Sequence, residues 1–178
     1  MTEDMLIGQV AELELFQWFM RSFLTTVDGD LSHAGATREI VAAARVSGAL
    51  GAAAHAPKAM ALHTAAGGPQ GRPIYVAIDD NPTLDQFNNQ INPYLKAMGT
   101  AFSAAGYQLG VYGNYYTIAW CLEDGIGSYF WQHDWGSRGQ IHSRANLHQV
   151  AGKQASIEGV QVDINNVYTA DWGQWTPG

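Results

Sequence analysis

The stretch Pro73-Ile-Tyr-Val-Ala-Ile-Asp79-Asp80 decides the fold. Both of its faces are apolar until the two acids, which is typical of a parallel strand buried between two layers. An alanine-rich helix is predicted before it, at about residues 52–66, ending at the breaker Gly67-Gly68-Pro69. After it, Thr83 and Gln86 have the spacing of a capping box, which begins a helix predicted to run to about residue 105. A strand between two helices indicates a parallel sheet with crossover connections.

Four more strands are predicted downstream. They fall at about residues 107–113, 128–135, 146–150 and 159–164, with a helix near 116–124 and a short helical turn near Asp171. A (β/α) barrel and a doubly wound open sheet both fit this order. No glycine-rich phosphate loop follows any strand, so a dinucleotide-binding fold has little support, and the tryptophan-rich strand ends favour the barrel. We predict an α/β fold, a partial (β/α)8 barrel with about five parallel strands.

Two regions are predicted along the chain. Residues 1–50 carry helical signals and no convincing strand: apolar residues at helical spacing around 13–20 and a second helix at 37–46. Residues 51–178 carry the predicted barrel portion. The apolar run at 13–24 is too short and too polar to span a bilayer, and no basic signal-peptide region precedes it.

Composition excludes several classes of protein. Of 178 residues 47% are hydrophobic and 14% charged, so the chain is not expected to be disordered. The net charge is −7 and there is no run of Lys or Arg, which argues against a nucleic-acid partner or an anionic membrane surface. The single cysteine, Cys121, excludes an internal disulfide framework. The histidines match no metal-ligand spacing, so neither a metal nor another cofactor is predicted.

Two acids are predicted to face the interior of the barrel at its strand ends. Asp79 alternates with the aliphatic residues of its strand, and Asp163 does so on the fifth predicted strand. Chemistry in such barrels occurs where strands end, and glycoside hydrolysis uses a pair of carboxyl groups. A structural role for these acids, as a helix cap or a loop anchor, explains their position about as well as a catalytic role does. Asp80 faces away before a turn signal and is held in reserve as a third catalytic candidate.

Polar and aromatic side chains at the same strand ends are predicted to bind substrate. Aromatic faces suit sugar rings, although most aromatics here are expected to be core. The predicted substrate-binding residues are Asn81, Tyr112, Asn114, Trp131, Gln132, Gln149 and Asn165.

Five ordered motifs carry a family resemblance over about residues 51–175. They are Pro73-Ile-Tyr-Val-Ala-Ile-Asp-Asp-Asn-Pro, Gly110-Val-Tyr-Gly-Asn, Tyr129-Phe-Trp-Gln-His-Asp-Trp, Leu147-His-Gln-Val and Gly159-Val-Gln-Val-Asp-Ile-Asn. Together they resemble a glycoside-hydrolase-like domain of unknown function found in actinobacterial and phage proteins. That domain is itself similar to the family 25 muramidases.

The resemblance implies a TIM barrel, a site at the strand ends and bacterial cell-wall glycan, that is peptidoglycan, as the substrate class. Asp79 matches the first acid of the muramidase Asp-x-Glu motif, and Asp163 matches the acid of the last strand. Gln132 matches a strand-end glutamine and Tyr112 a pocket tyrosine. Secretion or a place in the cell envelope is also implied, although this sequence shows no export signal; the oligomeric state stays open.

Two departures from the family leave alternatives open. Asn81 stands where the muramidases have their proton-donating Glu, and an amide cannot serve as a general acid. The family's opening strands have no counterpart in residues 1–50. The chain is therefore expected to be a hydrolase with an Asp pair, a non-catalytic glycan-binding barrel, or a truncated or wrongly translated inactive product.

Overall fold

The computed structural model describes residues 48–157 and 160–175, so the helices predicted within residues 1–47 lie outside the described part. The described chain is α/β, with helices packed on a five-stranded sheet. None of the helices in these ranges is long and apolar enough to cross a membrane. In chain order the elements are α1 (Gly48–Ala65), β1 (Pro73–Ala77), α2 (Leu84–Gln86), a π-helical segment (Phe87–Ile91), α3 (Asn92–Ala104), β2 (Gln108–Gly113), α4 (Tyr115–Glu123), β3 (Tyr129–His133), β4 (Leu147–Ile157) and β5 (Val160–Val167).

The strands lie in the order β1-β2-β3-β4-β5, and the first three neighbouring pairs are parallel. The prediction of a fifth parallel strand is wrong, because β5 pairs with β4 in the antiparallel direction. Only two residues separate β4 from β5 in the sequence, whereas a parallel connection needs a crossover of a dozen or more. The described sheet is therefore mostly parallel and barrel-like, while a closed eight-stranded barrel stays a prediction.

The two faces of the sheet have different compositions. Ile74, Val76 and Ile78 pack with buried residues of the helices in one apolar core, as the alternation along β1 predicts. The opposite face carries Tyr75 and Trp131, whose rings meet edge to face at 6.0 Å between centroids. A Cβ at Gly110 would lie 2.7 Å from the Tyr75 ring, so glycine is what allows this ring to lie across β2.

The long helical region after β1 begins as predicted. The Thr83 side chain accepts from the Gln86 backbone N–H, and the Gln86 side chain accepts from the Thr83 backbone N–H, completing the capping box. The predicted helix is interrupted by a π-helical segment just before Pro93, and the proline lies at the start of α3. A proline has no N–H to give to the preceding turn, which makes the start of a helix its natural position.

The described C-terminal residues 168–175 run irregularly along the amino-terminal side of the sheet, so the helical turn predicted near Asp171 is wrong. Arg72 holds this segment through a salt bridge to Asp171 at 2.9 Å and hydrogen bonds from Nε and Nη2 to the Gln174 carbonyl at 2.9 and 2.7 Å. Tyr75 donates its hydroxyl to the Trp172 carbonyl at 2.7 Å. These contacts link the region after β5 to β1 on the aromatic face.

Candidate functional site

An open cavity of about 310 Å³ lies at the carboxyl end of the parallel strands. This edge is where barrel-like α/β folds carry their chemistry. The structure brings the two predicted interior acids to the same cavity and adds a third. The polar and aromatic residues that line it are Asp79, Tyr112, His133, Asp134, Trp135, Gln149 and Asp163.

Strand register explains how β4 and β5 reach this cavity. His133 at the end of β3 pairs with Gln149, and Gln149 pairs with Asn165 across the antiparallel ladder. The register then shifts, so that Asp163 pairs with Gln154 instead. This bulge lets glutamines from both sides of the irregularity reach the same acid.

Asp163 is fixed by two amide groups. Gln149 donates through Nε2 to Oδ2 of Asp163 at 2.5 Å, and Gln154 donates through Nε2 to Oδ1 at 3.0 Å. The Tyr112 hydroxyl in turn donates to Oε1 of Gln149. Both oxygens of Asp163 therefore act as acceptors, and the position of the carboxylate depends on a chain that begins on β2.

Asp134 also lines the cavity, although it was not predicted to be one of the catalytic acids. Its Oδ1 lies 2.8 Å from Nε2 of His148, and its Oδ2 accepts from the Ala151 N–H at 2.8 Å. Burial acts to raise the pKa of Asp134, but these two hydrogen bonds and the adjacent imidazole hold it below its ordinary value. The sequence signal for Asp134 is its place directly after β3, at the end of a parallel strand.

His133 was missed as well. Its side chain forms part of the cavity wall and the residue is only 4% exposed. Nε2 lies 3.3 Å from the Ile78 carbonyl oxygen, while Nδ1 is buried and has no hydrogen-bond partner among the residues described. Burial lowers the pKa of this imidazole, against the opposing influence of the Ile78 carbonyl and the nearby carboxylates.

Three amides predicted to bind substrate lie outside the cavity and hold the scaffold. Asn114 is the N-cap of α4, accepting from the Thr117 N–H at 2.8 Å, and it donates to Oδ1 of Asn81 at 3.0 Å. Gln132 is fully buried; it donates to the Gln140 carbonyl at 2.7 Å and accepts from the backbone of the same loop. These amides therefore form their hydrogen bonds within the protein.

The remaining predicted residues lie beside or below the cavity. Asp80 accepts from the Asn81 N–H at 2.7 Å and is not part of the wall. Trp131 is buried and donates Nε1 to Oδ1 of Asn165 at 2.8 Å, so these two residues bond to each other one inward-facing position below His133. At the cavity itself Trp135 is 56% exposed, which makes it the aromatic residue there with most free surface.

Within residues 48–157 and 160–175 no three His, Cys, Asp or Glu side chains converge in a way that could hold an ion. The chemistry available to the described cavity is that of carboxylates, an imidazole, amides and a phenol.

Comparison with known families gives the lineage. The model for the Rv2525c-like, glycoside hydrolase-like domain matches residues 30–168. The chain belongs to this family. The family match begins before residue 51, where the resemblance was expected to start, and it confirms the resemblance that the five motifs carry.

This Rv2525c-like chain is similar to a protein of Mycobacterium tuberculosis, both in sequence and in solved structures. The protein named "Putative peptidoglycan hydrolase Rv2525c" is 48% identical over 132 residues, which are 73% of this chain and 54% of that protein. Crystal structures of the Tat-secreted protein Rv2525c, one in complex with L-tartrate and one with HEPES, match at 45% identity with TM-scores of 0.68 and 0.67. They cover 74% of this chain and 64% and 63% of the solved chains, so this chain spans between half and two thirds of its relatives' length.

Proposed function

We propose that this cavity hydrolyses a glycosidic bond in bacterial cell-wall glycan, with Asp79 and Asp163 as the acidic pair. The observation that carries the proposal is that these two carboxyl groups, 84 residues apart in the sequence, line one cavity. Glycosidases use two carboxyl groups flanking the scissile bond. The name of the mycobacterial relative supports peptidoglycan as the substrate class. The closed TIM barrel implied by the family resemblance belongs to the same proposal.

The two acids have different environments, which suits different roles. Asp163 accepts hydrogen bonds on both oxygens from Gln149 and Gln154, so it is held as an acceptor. We assign it the role of base, or of the carboxylate that stabilises positive charge on the sugar. Asp79 is exposed at the cavity and is left to carry the proton to the leaving oxygen.

Trp135 is suited to hold the sugar. It is more than half exposed although it is a large aromatic residue, and it lines the cavity beside the acids. A flat apolar ring gives a sugar face contact area at little cost in conformational entropy. Because Trp135 directly follows Asp134, a sugar ring stacked on its indole would lie within the acid-lined cavity.

Activity on purified peptidoglycan tests the proposal. We expect Asp79→Asn and Asp163→Asn each to lower the release of soluble glycan fragments by two orders of magnitude or more, in the range typical of a lost acid–base group. Asp85→Asn is the matched control, because that acid lies on α2 outside the cavity and bonds to Asn89. Full activity in either cavity variant would refute the assignment of the acid pair.

A second function, glycan binding without cleavage, is favoured by one observation. Asn81 stands at the position of the muramidase proton donor, and its side chain accepts from the buried Asn114 at 3.0 Å. The amide is thus a fixed part of the scaffold and supplies no acid. Binding of peptidoglycan by the unaltered protein, with no fragments released and affinity retained in Asp79→Asn, would decide for this function.

A further inference from the structure

The cavity wall contains a buried polar atom that the described structure leaves unsatisfied. His133 is 4% exposed, and its Nδ1 has no partner in the described part of the chain. A native protein rarely leaves a buried polar atom unpaired, because doing so sacrifices the hydrogen bond that water would have supplied. His133 is one of the residues that line the acid-lined cavity, so a ligand that enters it and displaces the atoms covering Nδ1 can supply the missing partner.

The second nitrogen of the ring defines what that partner must be. Nε2 faces the Ile78 carbonyl oxygen at 3.3 Å, and a carbonyl only accepts, so Nε2 carries the hydrogen. In the neutral imidazole Nδ1 then has a lone pair and acts as an acceptor. Burial, which lowers the pKa of this ring, favours the neutral form. The missing partner is therefore a hydrogen-bond donor.

The other groups around the cavity point to the same class of ligand. Asp134 and Asp163 place carboxylate oxygens, which accept hydrogen bonds, around the same space. A ligand rich in hydroxyl donors complements such a wall, whereas a ligand made of acceptors does not. Sugar hydroxyls fit this description.

We propose that Nδ1 of His133 accepts a hydrogen bond from a sugar hydroxyl and so helps to fix the position of the glycan ring against the acid pair. This role rests on the proposed function of the cavity and adds a substrate-binding residue to it. His133 and the acids then divide the work: the imidazole orients the sugar, and the carboxylates act on its glycosidic bond.

Two substitutions at His133 separate ligand binding from a structural role. In His133→Gln the amide N–H reaches the place of Nε2 and keeps the bond to the Ile78 carbonyl, but nothing stands at the place of Nδ1. In His133→Asn an amide oxygen replaces Nδ1, and the bond to the carbonyl is lost. We expect His133→Gln to keep its melting temperature and bind glycan about three- to tenfold more weakly, the worth of one hydrogen bond. His133→Asn should melt lower and keep more of its affinity.

Calorimetric titration with N-acetylglucosamine trimer and with soluble peptidoglycan fragments provides the measurement, with thermal melting of each variant beside it. The ¹⁵N resonance of His133 Nδ1 should also move when glycan is added to the unaltered protein. Unchanged affinity in His133→Gln, while the unaltered protein binds glycan, overturns this inference and leaves the acid pair standing. Affinity that falls in step with melting temperature in both variants shows a structural residue and also overturns it. Absence of glycan binding by the unaltered protein removes the proposed function and this inference together.

Discussion

Replacing Gln149 with Leu tests whether Asp163 on β5 is held in place by a series of side-chain hydrogen bonds that crosses the sheet. Gln149 accepts from the Tyr112 hydroxyl and donates to Asp163 at 2.5 Å. Leucine has a similar volume, so the change removes hydrogen bonds without opening a large cavity. A bond to a charged group contributes roughly 1.5–3 kcal/mol and a neutral one about 0.5–1.5 kcal/mol. Because Gln149 is only half-buried, water replaces part of the lost hydrogen bonding. We therefore expect Gln149→Leu to lower the free energy of unfolding by about 2–3 kcal/mol.

Gln154→Leu is the matched control for this change. Gln154 bonds to the other oxygen of Asp163 at 3.0 Å, but it is exposed, so water can take its place. Its loss should cost less than about 0.5 kcal/mol, as for most surface substitutions. Urea unfolding of both variants gives the comparison, and peptidoglycan cleavage should fall about ten- to a hundredfold in Gln149→Leu alone, since about 1.4 kcal/mol corresponds to a factor of ten. Equal stability of the two variants would refute the reasoning that Gln149 positions the acid.

Two further predictions concern the loop after β3. Gly136 has φ +77°, and a Cβ there would lie 2.1 Å from Oδ1 of Asn81, so Gly136→Ala should destabilise the protein by more than the backbone strain of about 1–3 kcal/mol. Gly139 has φ +72° with nothing within 4 Å of such a Cβ, so Gly139→Ala is the control that introduces strain without a clash. Equal melting temperatures of the two variants would contradict the steric argument. The lowered pKa of Asp134 means that its carboxylate contributes stability that is complete above the ordinary value of 3.8 and is lost as pH falls through the lower folded-state pKa. Unfolding measured between pH 2 and 6 should therefore show a shallower loss of stability on acidification in Asp134→Asn, and an unchanged slope would count against the bonds from Ala151 and His148.

Local patterns were sufficient for most of the elements that build the site. The strand β1, the capping box at Thr83 and the helix stop after α1 all follow from neighbouring residues in the sequence. Alternation along β1 also placed the aliphatic residues in the core. These features depend on contacts within a few residues or on which face of a strand is apolar, and the sequence contains that information directly.

The roles of the strand-end amides could not be obtained in the same way. An Asn or Gln offers the same donor and acceptor to a ligand, a helix end or a loop, and only tertiary neighbours decide between them. Asn114 did carry a local signal, since it precedes the helix α4 and asparagine is a favoured N-cap. Gln132 carried none, because the loop carbonyl it meets, that of Gln140, is positioned by the folded chain.

The direction of β5 was mispredicted, and yet Asp163 reaches the cavity that the parallel arrangement assigned to it. Alternation explains this outcome, because residues two apart share a face whichever way a strand runs. The strand direction instead changes the position of Asp163 along the sheet. In the antiparallel β5, Asp163 lies near the beginning of the strand, beyond the level at which His133, Gln149 and Asn165 pair. The bulge between Gln149 and Gln154 then sets how far above that level the acid lies. The separation of the acid pair is thus a property of one hairpin, and the amides of that hairpin are what hold Asp163 in its place.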